Sequence, residues 1–249
     1  MLAKLELWIE YKRKEKLSYQ ISSLMHGILM EQIDKEYGEI LHQDGRKPFR
    51  QSVSEMTDCS FKWTICTLTQ EARQQIIDIL LTKEKFYMRH KQLDLIVKKR
   101  QLTETTYEEL IGTYYFGEHS RSIRIRFLSP TAFKSEGNYV FMPDIRLIFQ
   151  SLIHKYDDFS KATEVGGADT LEHFEKYSFI RKYHLKSVRY SLEGTWIPAF
   201  LGEITIQVRG PEQMANLAHM LAVFGEYAGI GIKCSLGMGS IQVIEEKNR

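Results

Sequence analysis

The sequence is short of cysteine. Cys59, Cys66 and Cys234 are the only three in 249 residues. Three thiols cannot form a paired framework, and none falls in a Cys-x-x-Cys pair. A disulfide scaffold and a thiolate zinc site are therefore excluded, and reduced thiols in a cytoplasmic protein are expected. An excess of either charge is also lacking. Lys and Arg number 34 against 32 Asp and Glu, a formal net charge of +2. Bulk charge does not announce nucleic-acid binding, so any basic surface must come from local clustering. Apolar runs long enough to span a membrane are missing. Charges begin at Lys4 and Glu6, so the start is not expected to be a secretory signal. Carboxylates and histidines do not fall at metal-ligand spacing, and no metal site or cofactor is expected. Ordinary fractions remain, 43% hydrophobic and 27% charged, in a chain long enough for one large domain or two small ones.

Periodicity orders the elements. Leu2, Leu5, Leu7 and Ile9 mark a first strand of imperfect alternation, and "YKRKEK" reads as a solvated turn. From Ser22 a helix is expected, with Leu24, Met25, Ile28, Leu29 and Ile33 on one face and Ser22 or Ser23 as its cap. It should run towards Tyr37–Gly38. "PFRQSVS" and "FKWTICTL" read as strands. Thr69 caps a second helix with Glu71 in its first turn, and "LDLIVKKR" is another strand. Strand, helix, strand, strand, helix, strand is the ferredoxin-like order. "TETTYEELIGTYYFGEHS" is expected to be a polar connection between halves. The second half opens on "SIRIRF", where Ile123, Ile125 and Phe127 alternate with Arg124 and Arg126. A helix after Pro143, the basic strand "SFIRKYHLKSVRYSL", the alternating "EITIQVRG", a helix from Pro211–Glu212 and a last strand "SIQVI" repeat the order. The expected fold class is therefore α+β, two tandem ferredoxin-like (RRM-like) domains over 1–120 and 121–249, with a C-terminal glycine-rich loop. Sheets of this kind can offer an open face to single-stranded RNA.

Two stretches carry candidate chemistry. "LMHGILMEQIDKEYGEILHQDGRKPF" holds His26 on the first helix and His42 beyond it, in a loop with Asp44, Gly45, Arg46 and Lys47. Imidazole moves protons near neutral pH, and nearby cations stabilise charge developing on a phosphate. Two imidazoles and a cation suit RNA cleavage without metal, because the 2′-OH supplies the nucleophile. Taken singly, His26 also fits a packing histidine and His42 an inert surface one. The second stretch, "GIGIKCSLGMGS", spans Gly229 to Ser240. Its two Gly-x-Gly pairs frame Lys233 and Ser235, and the segment fits either a phosphate cradle or a tight turn.

The ending "FGEYAGIGIKCSLGMGSIQV", the preceding "GPEQMANLAHMLA" and the N-terminal "LMHGILM…LHQDGRKPF" together resemble the CRISPR repeat-processing endoribonucleases, closest to members serving type III systems. The glycine pattern is the specific part. This resemblance implies metal-independent cleavage of precursor CRISPR RNA within each repeat, leaving 5′-hydroxyl and 2′,3′-cyclic phosphate ends. The family's general histidine maps onto His42, and Lys47 matches a cation often found after it. Some members use a histidine at the place of His26. Where several carry a catalytic tyrosine, this chain has Met30, so the second proton-transfer role goes to His26, with Tyr37 the weaker candidate. RNA contacts are expected from Gly229, Gly231, Lys233, Ser235, Gly237 and Gly239 of the loop, which would run close to RNA backbone, and from Arg46, Arg124 and Arg126. Repeat RNA, a type III effector complex and a second copy of the chain are the candidate partners. A non-catalytic RNA-binding subunit of an effector complex is the competing reading, and a protein–protein adaptor the third.

Overall fold

The computed structural model describes residues 1–12, 17–43, 45–161, 164–192 and 194–244. Asp44 and most of the "YKRKEK" turn lie outside them. The first half runs β1 (Leu2–Tyr11), α1 (Ser22–Gln32), α2 (Lys35–His42), β2 (Phe49–Ser54), β3 (Ser60–Thr67), α3 (residues 70–81), β4 (Lys85–Met88) and β5 (Leu93–Thr105). Helix α4 follows over residues 107–115. The second half runs β6 (Ser122–Thr131), a small hairpin of β7 (Phe133–Ser135) and β8 (Asn138–Val140), α5 (Ile145–Phe159), α6 (Ala168–Tyr177), β9 (Ser178–Leu192), β10 (Thr195–Val208), α7 (Glu212–Ala228) and β11 (Ile241–Ile244).

Both large sheets are antiparallel and share one topology. The first is ordered β2-β3-β1-β5-β4 and the second β11-β6-β10-β9. β1 lies between β3 and β5, and β6 between β10 and β11, so in each the last strand of the unit and one strand of the hairpin flank the first strand. The first sheet carries one strand more: β4, which follows α3 directly, lies on the edge beside β5. This is the ferredoxin-like order twice over. Leu5, Leu7 and Ile9 of β1 alternate inward against the helices with Trp63 and Ile65 of β3. In the second half Ile123, Ile125 and Phe127 do the same with Ile204, Ile206 and Val208. Burying each such side chain is worth about 1.5–3 kcal/mol before chain entropy is subtracted.

Three elements differ from expectation. The first helix stops at Gln32 rather than near Tyr37, because Asp34 caps a separate helix by accepting from the Glu36 and Tyr37 amides. Neither Ser22 nor Ser23 caps α1. A short 3₁₀ turn, Tyr19–Ile21, precedes it and is capped by Ser18. The stretch read as a polar connection forms the end of β5 and then α4, opened by a capping box between Thr106 and Glu109. Tyr107 and Leu110 of α4 pack into the second core together with Leu2, Cys66 and Leu68 from the first sheet. The Tyr107 hydroxyl donates to Leu68 O at 3.0 Å. The two halves thus share an apolar seam rather than a linker.

Arg50 of β2 crosses the same seam. It is 2% exposed, and its Nε donates to Glu226 O at 2.9 Å and its Nη1 to Ser240 Oγ at 3.1 Å. Glu226 itself accepts from Val243 N at 2.8 Å and pairs with Lys4 at 3.5 Å.

Candidate active site

His26 sits on the second turn of α1, half-buried, with its ring parallel to Phe49 of β2 at 6.0 Å between centroids. Burial holds its pKa below the ordinary imidazole value; a hydrogen bond with the Ser235 backbone raises it and His42 lowers it further. Around this ring the charged neighbour is thus His42 from α2, while β2 offers a neutral aromatic and the glycine-rich loop a backbone. His42 is close enough to oppose protonation of His26, although 16 positions separate the two in sequence.

His42 is not in a loop, as expected, but is the last residue of α2, and it is exposed. A helix C-terminus favours positive charge. Lys47 folds back to donate from Nζ to Gln43 O, one residue past that helix end. Arg46 is not free: it reaches α5, pairing with Asp158 at 2.6 Å and His154 Nδ1 at 3.0 Å. Tyr37 points the other way. It is 5% exposed and its hydroxyl, pushed up to about 12 by burial, is packed in the first core. The weaker proton-transfer candidate is therefore a core residue.

A cleft of about 600 Å³ lies between the two halves; neither His26 nor His42 is among its lining residues, but Phe49, on which His26 stacks, and Ser235 are. Arg46, Lys47 and Phe49 line it from the first, and Lys155, Lys233 and Ser235 from the second. No described lining residue is acidic. Among the described residues, no group of three or more His, Cys, Asp or Glu is gathered to hold a metal.

The glycine-rich loop does not do what its glycines suggested. Gly229, Gly231, Gly237 and Gly239 all have positive φ, but Gly229, Gly237 and Gly239 are buried. A Cβ on Gly237 (φ +105) would meet Ser22 Cβ at 2.2 Å, and one on Gly239 (φ +70) would meet Ile230 O at 2.1 Å. At these positions the absent side chain makes room for the protein's own atoms. What the tight fold presents is the side chain of Lys233, exposed and itself left-handed at φ 57, with Ser235 half-buried beside His26.

Arg124 and Arg126 stand on the open face of the second sheet, away from this cleft's lining. Both pair with Glu203: Arg124 through Nε at 2.9 Å and Arg126 through Nε at 2.5 Å. Two cations share one carboxylate, which leaves about one net positive charge there.

Lys155 gave no signal in the sequence, where it is one cation in the apolar-patterned α5. Its Nζ donates to Gly229 O at 2.9 Å, to Ala228 O and Gly231 O at 3.3 Å, and lies 3.1 Å from Cys234 Sγ. An ammonium there satisfies the orphan carbonyls at the end of α7 and fixes the loop's entry. Partners 73 to 79 positions away cannot be read from local pattern.

Known proteins are similar to this chain over nearly its whole length. The family model for the CRISPR-associated endoribonuclease Cas6 matches residues 125–241. A CRISPR-associated endoribonuclease Cas6 of Streptococcus thermophilus is 32% identical over 243 residues, covering 98% of this chain and 99% of that protein. One from Mycobacterium tuberculosis is 35% identical over 221 residues, 88% of this chain and 70% of that protein. Among solved structures, a Cas6 product complex superposes with a TM-score of 0.83 at 21% identity, covering 98% of this chain and 100% of that one.

Proposed function

Because the chain belongs to the family of CRISPR-associated endoribonuclease Cas6, an RNA-cleaving family that processes CRISPR RNA, we propose that it cuts precursor CRISPR RNA within repeats by attack of the 2′-OH on the adjacent phosphate. His26 is the general base. Its depressed pKa leaves it unprotonated at neutral pH, the form that accepts the 2′-OH proton. His42, exposed at the end of α2, is the general acid for the departing 5′-oxygen. Lys47 stabilises the charge on the phosphorane. The products are a 5′-hydroxyl and a 2′,3′-cyclic phosphate, and no metal takes part.

The observation that carries this reading is the pairing of two histidines from α1 and α2 beside a cleft whose described lining is basic and free of carboxylates. Lys233, Ser235 and Arg46 are the RNA contacts at the cleft; Arg46 would exchange Asp158 for phosphate. Arg124 and Arg126 are a second contact on the open sheet face. A type III effector complex is the proposed recipient of the product.

Repeat RNA incubated with the purified protein in EDTA separates the readings. Cleavage is expected. Binding without cleavage would leave a non-catalytic RNA-binding subunit, and neither would leave a protein–protein adaptor.

A further inference from the structure

Strand β2 runs beneath both halves of the site, and Gln51 in its middle is fully buried. Its amide uses both of its donors and one of its two acceptor directions. Nε2 donates to Ser22 O at 2.9 Å and to Ser235 O at 3.1 Å, while Oε1 accepts from Trp63 Nε1 at 2.9 Å. The indole N–H only donates, so it fixes which end of the amide is oxygen and turns the NH₂ towards the two carbonyls. Those carbonyls are not arbitrary. Ser22 opens α1, and in an α-helix its carbonyl also accepts the backbone N–H four residues on, that of His26. Ser235 belongs to the turn over residues 234–236 that packs against α1, and its backbone acts on the His26 ring, raising its pKa. One side chain therefore grips the helix that carries His26 and the loop that His26 touches.

We propose that Gln51 is a positioning residue: it sets the spacing between the start of α1 and Ser235 and so holds His26 against the glycine-rich loop. A neighbouring contact serves the same seam. Gly237 lies so close to Ser22 that no side chain fits between them, which lets the loop approach near enough for the amide to bridge. A glutamate in place of Gln51 would set a third acceptor against two carbonyls, so the donor character of the amide is required, not its shape.

The inference rests on His26 as a proton carrier, and its test separates the two claims. Gln51→Met keeps the volume and removes the bridge. The His26 ring is titrated by NMR in the RNA-free full chain, and single-turnover cleavage and RNA affinity are measured alongside. Without the bridge the Ser235 backbone no longer supports protonated His26, so the His26 midpoint falls further. Cleavage at saturating protein drops by about 10- to 10²-fold, as expected for a displaced proton carrier, with RNA affinity little changed. A variant that melts earlier but keeps the wild-type His26 midpoint and cleavage rate makes Gln51 an ordinary core amide and overturns the proposal. If the variant does not fold, the unmodified protein still decides. Both side-chain amide protons of Gln51 must be protected from solvent exchange, and rapid exchange of either contradicts the bridge. Normal cleavage by His26→Ala would sink the catalytic reading of His26, while the NMR midpoint would continue to judge the grip of Gln51.

Discussion

At the scale of residues, the site depends on two imidazoles in unlike settings. Burial lowers the pKa of His26, so the free enzyme carries a neutral base down to a pH below the ordinary histidine value of 6.5. The acid limb of kcat/KM for repeat RNA should accordingly fall below that value, because activity is lost only when His26 takes up a proton. His26→Ala should remove this limb and leave the alkaline one; a bell that keeps both limbs in the variant returns His26 to a packing role against Phe49. Lys47 answers to a different measurement. A fixed cation moves no protons, so Lys47→Ala should slow cleavage by about 10-fold or more without shifting the pH optimum. Full recovery at raised RNA concentration would instead make it a binding residue. The histidines were legible in the sequence, as were Lys47 and the weight of the 229–240 segment. Gln51 and Lys155 were not. Each acts through partners far away in the chain, and a buried glutamine in a strand looks the same in sequence whether or not its amide has anything to hold.

At the scale of elements, hydrophobic period and turn chemistry located most strands and helices, and the Thr69 cap is where the sequence put it. The failures have tertiary or capping reasons. Helix α4 has no clean apolar period because it packs at the seam where Leu2, Cys66 and Leu68 join the second core, and α2 reads as one run with α1 because Asp34, the cap that separates them, looks like one more charge in a polar stretch. The loop glycines were read for their freedom, whereas tertiary contact fixes their use. Gly237→Ala should destabilise the protein by about 1–3 kcal/mol, the range for forced overpacking, and lower cleavage by displacing Ser235. Thermal melts with single-turnover rates check this. A variant that melts normally and only loses RNA affinity would restore the phosphate-cradle reading. The α4–α7 seam carries its own pH signature. His219 of α7 stacks on His119 at 4.5 Å and on Tyr114 at 5.7 Å, and burial lowers its pKa to about 4. A histidine depressed in the folded state favours folding when neutral. Its contribution is present above pH 6.5 and is lost as the pH falls towards about 4. His219→Phe should flatten the drop in Tm over that window, and an unchanged drop would place the acid lability elsewhere.

At the scale of the whole molecule, the two ferredoxin-like halves matter less as separate domains than as walls. The cleft exists because Arg50, Glu226, Tyr107 and the glycine-rich loop lock one sheet unit against the other. That junction brings α1, α2 and the loop together, and it explains how a chain with a net charge of only +2 can offer RNA a basic surface. Arg46, Lys47, Lys134, Lys155 and Lys233 line the cleft, with no carboxylate among its described lining residues. The account turns on metal-independent transesterification by that cleft. The most direct test is a single-turnover cleavage of repeat RNA in excess EDTA, by the unmodified chain and by His42→Ala, with the product ends identified. The account predicts undiminished cleavage by the unmodified chain, ends carrying 5′-hydroxyl and 2′,3′-cyclic phosphate, and a rate at least about 10²-fold lower for His42→Ala at nearly unchanged RNA affinity. Cleavage that stops in EDTA, 3′-hydroxyl ends, or an unimpaired His42→Ala protein would contradict it.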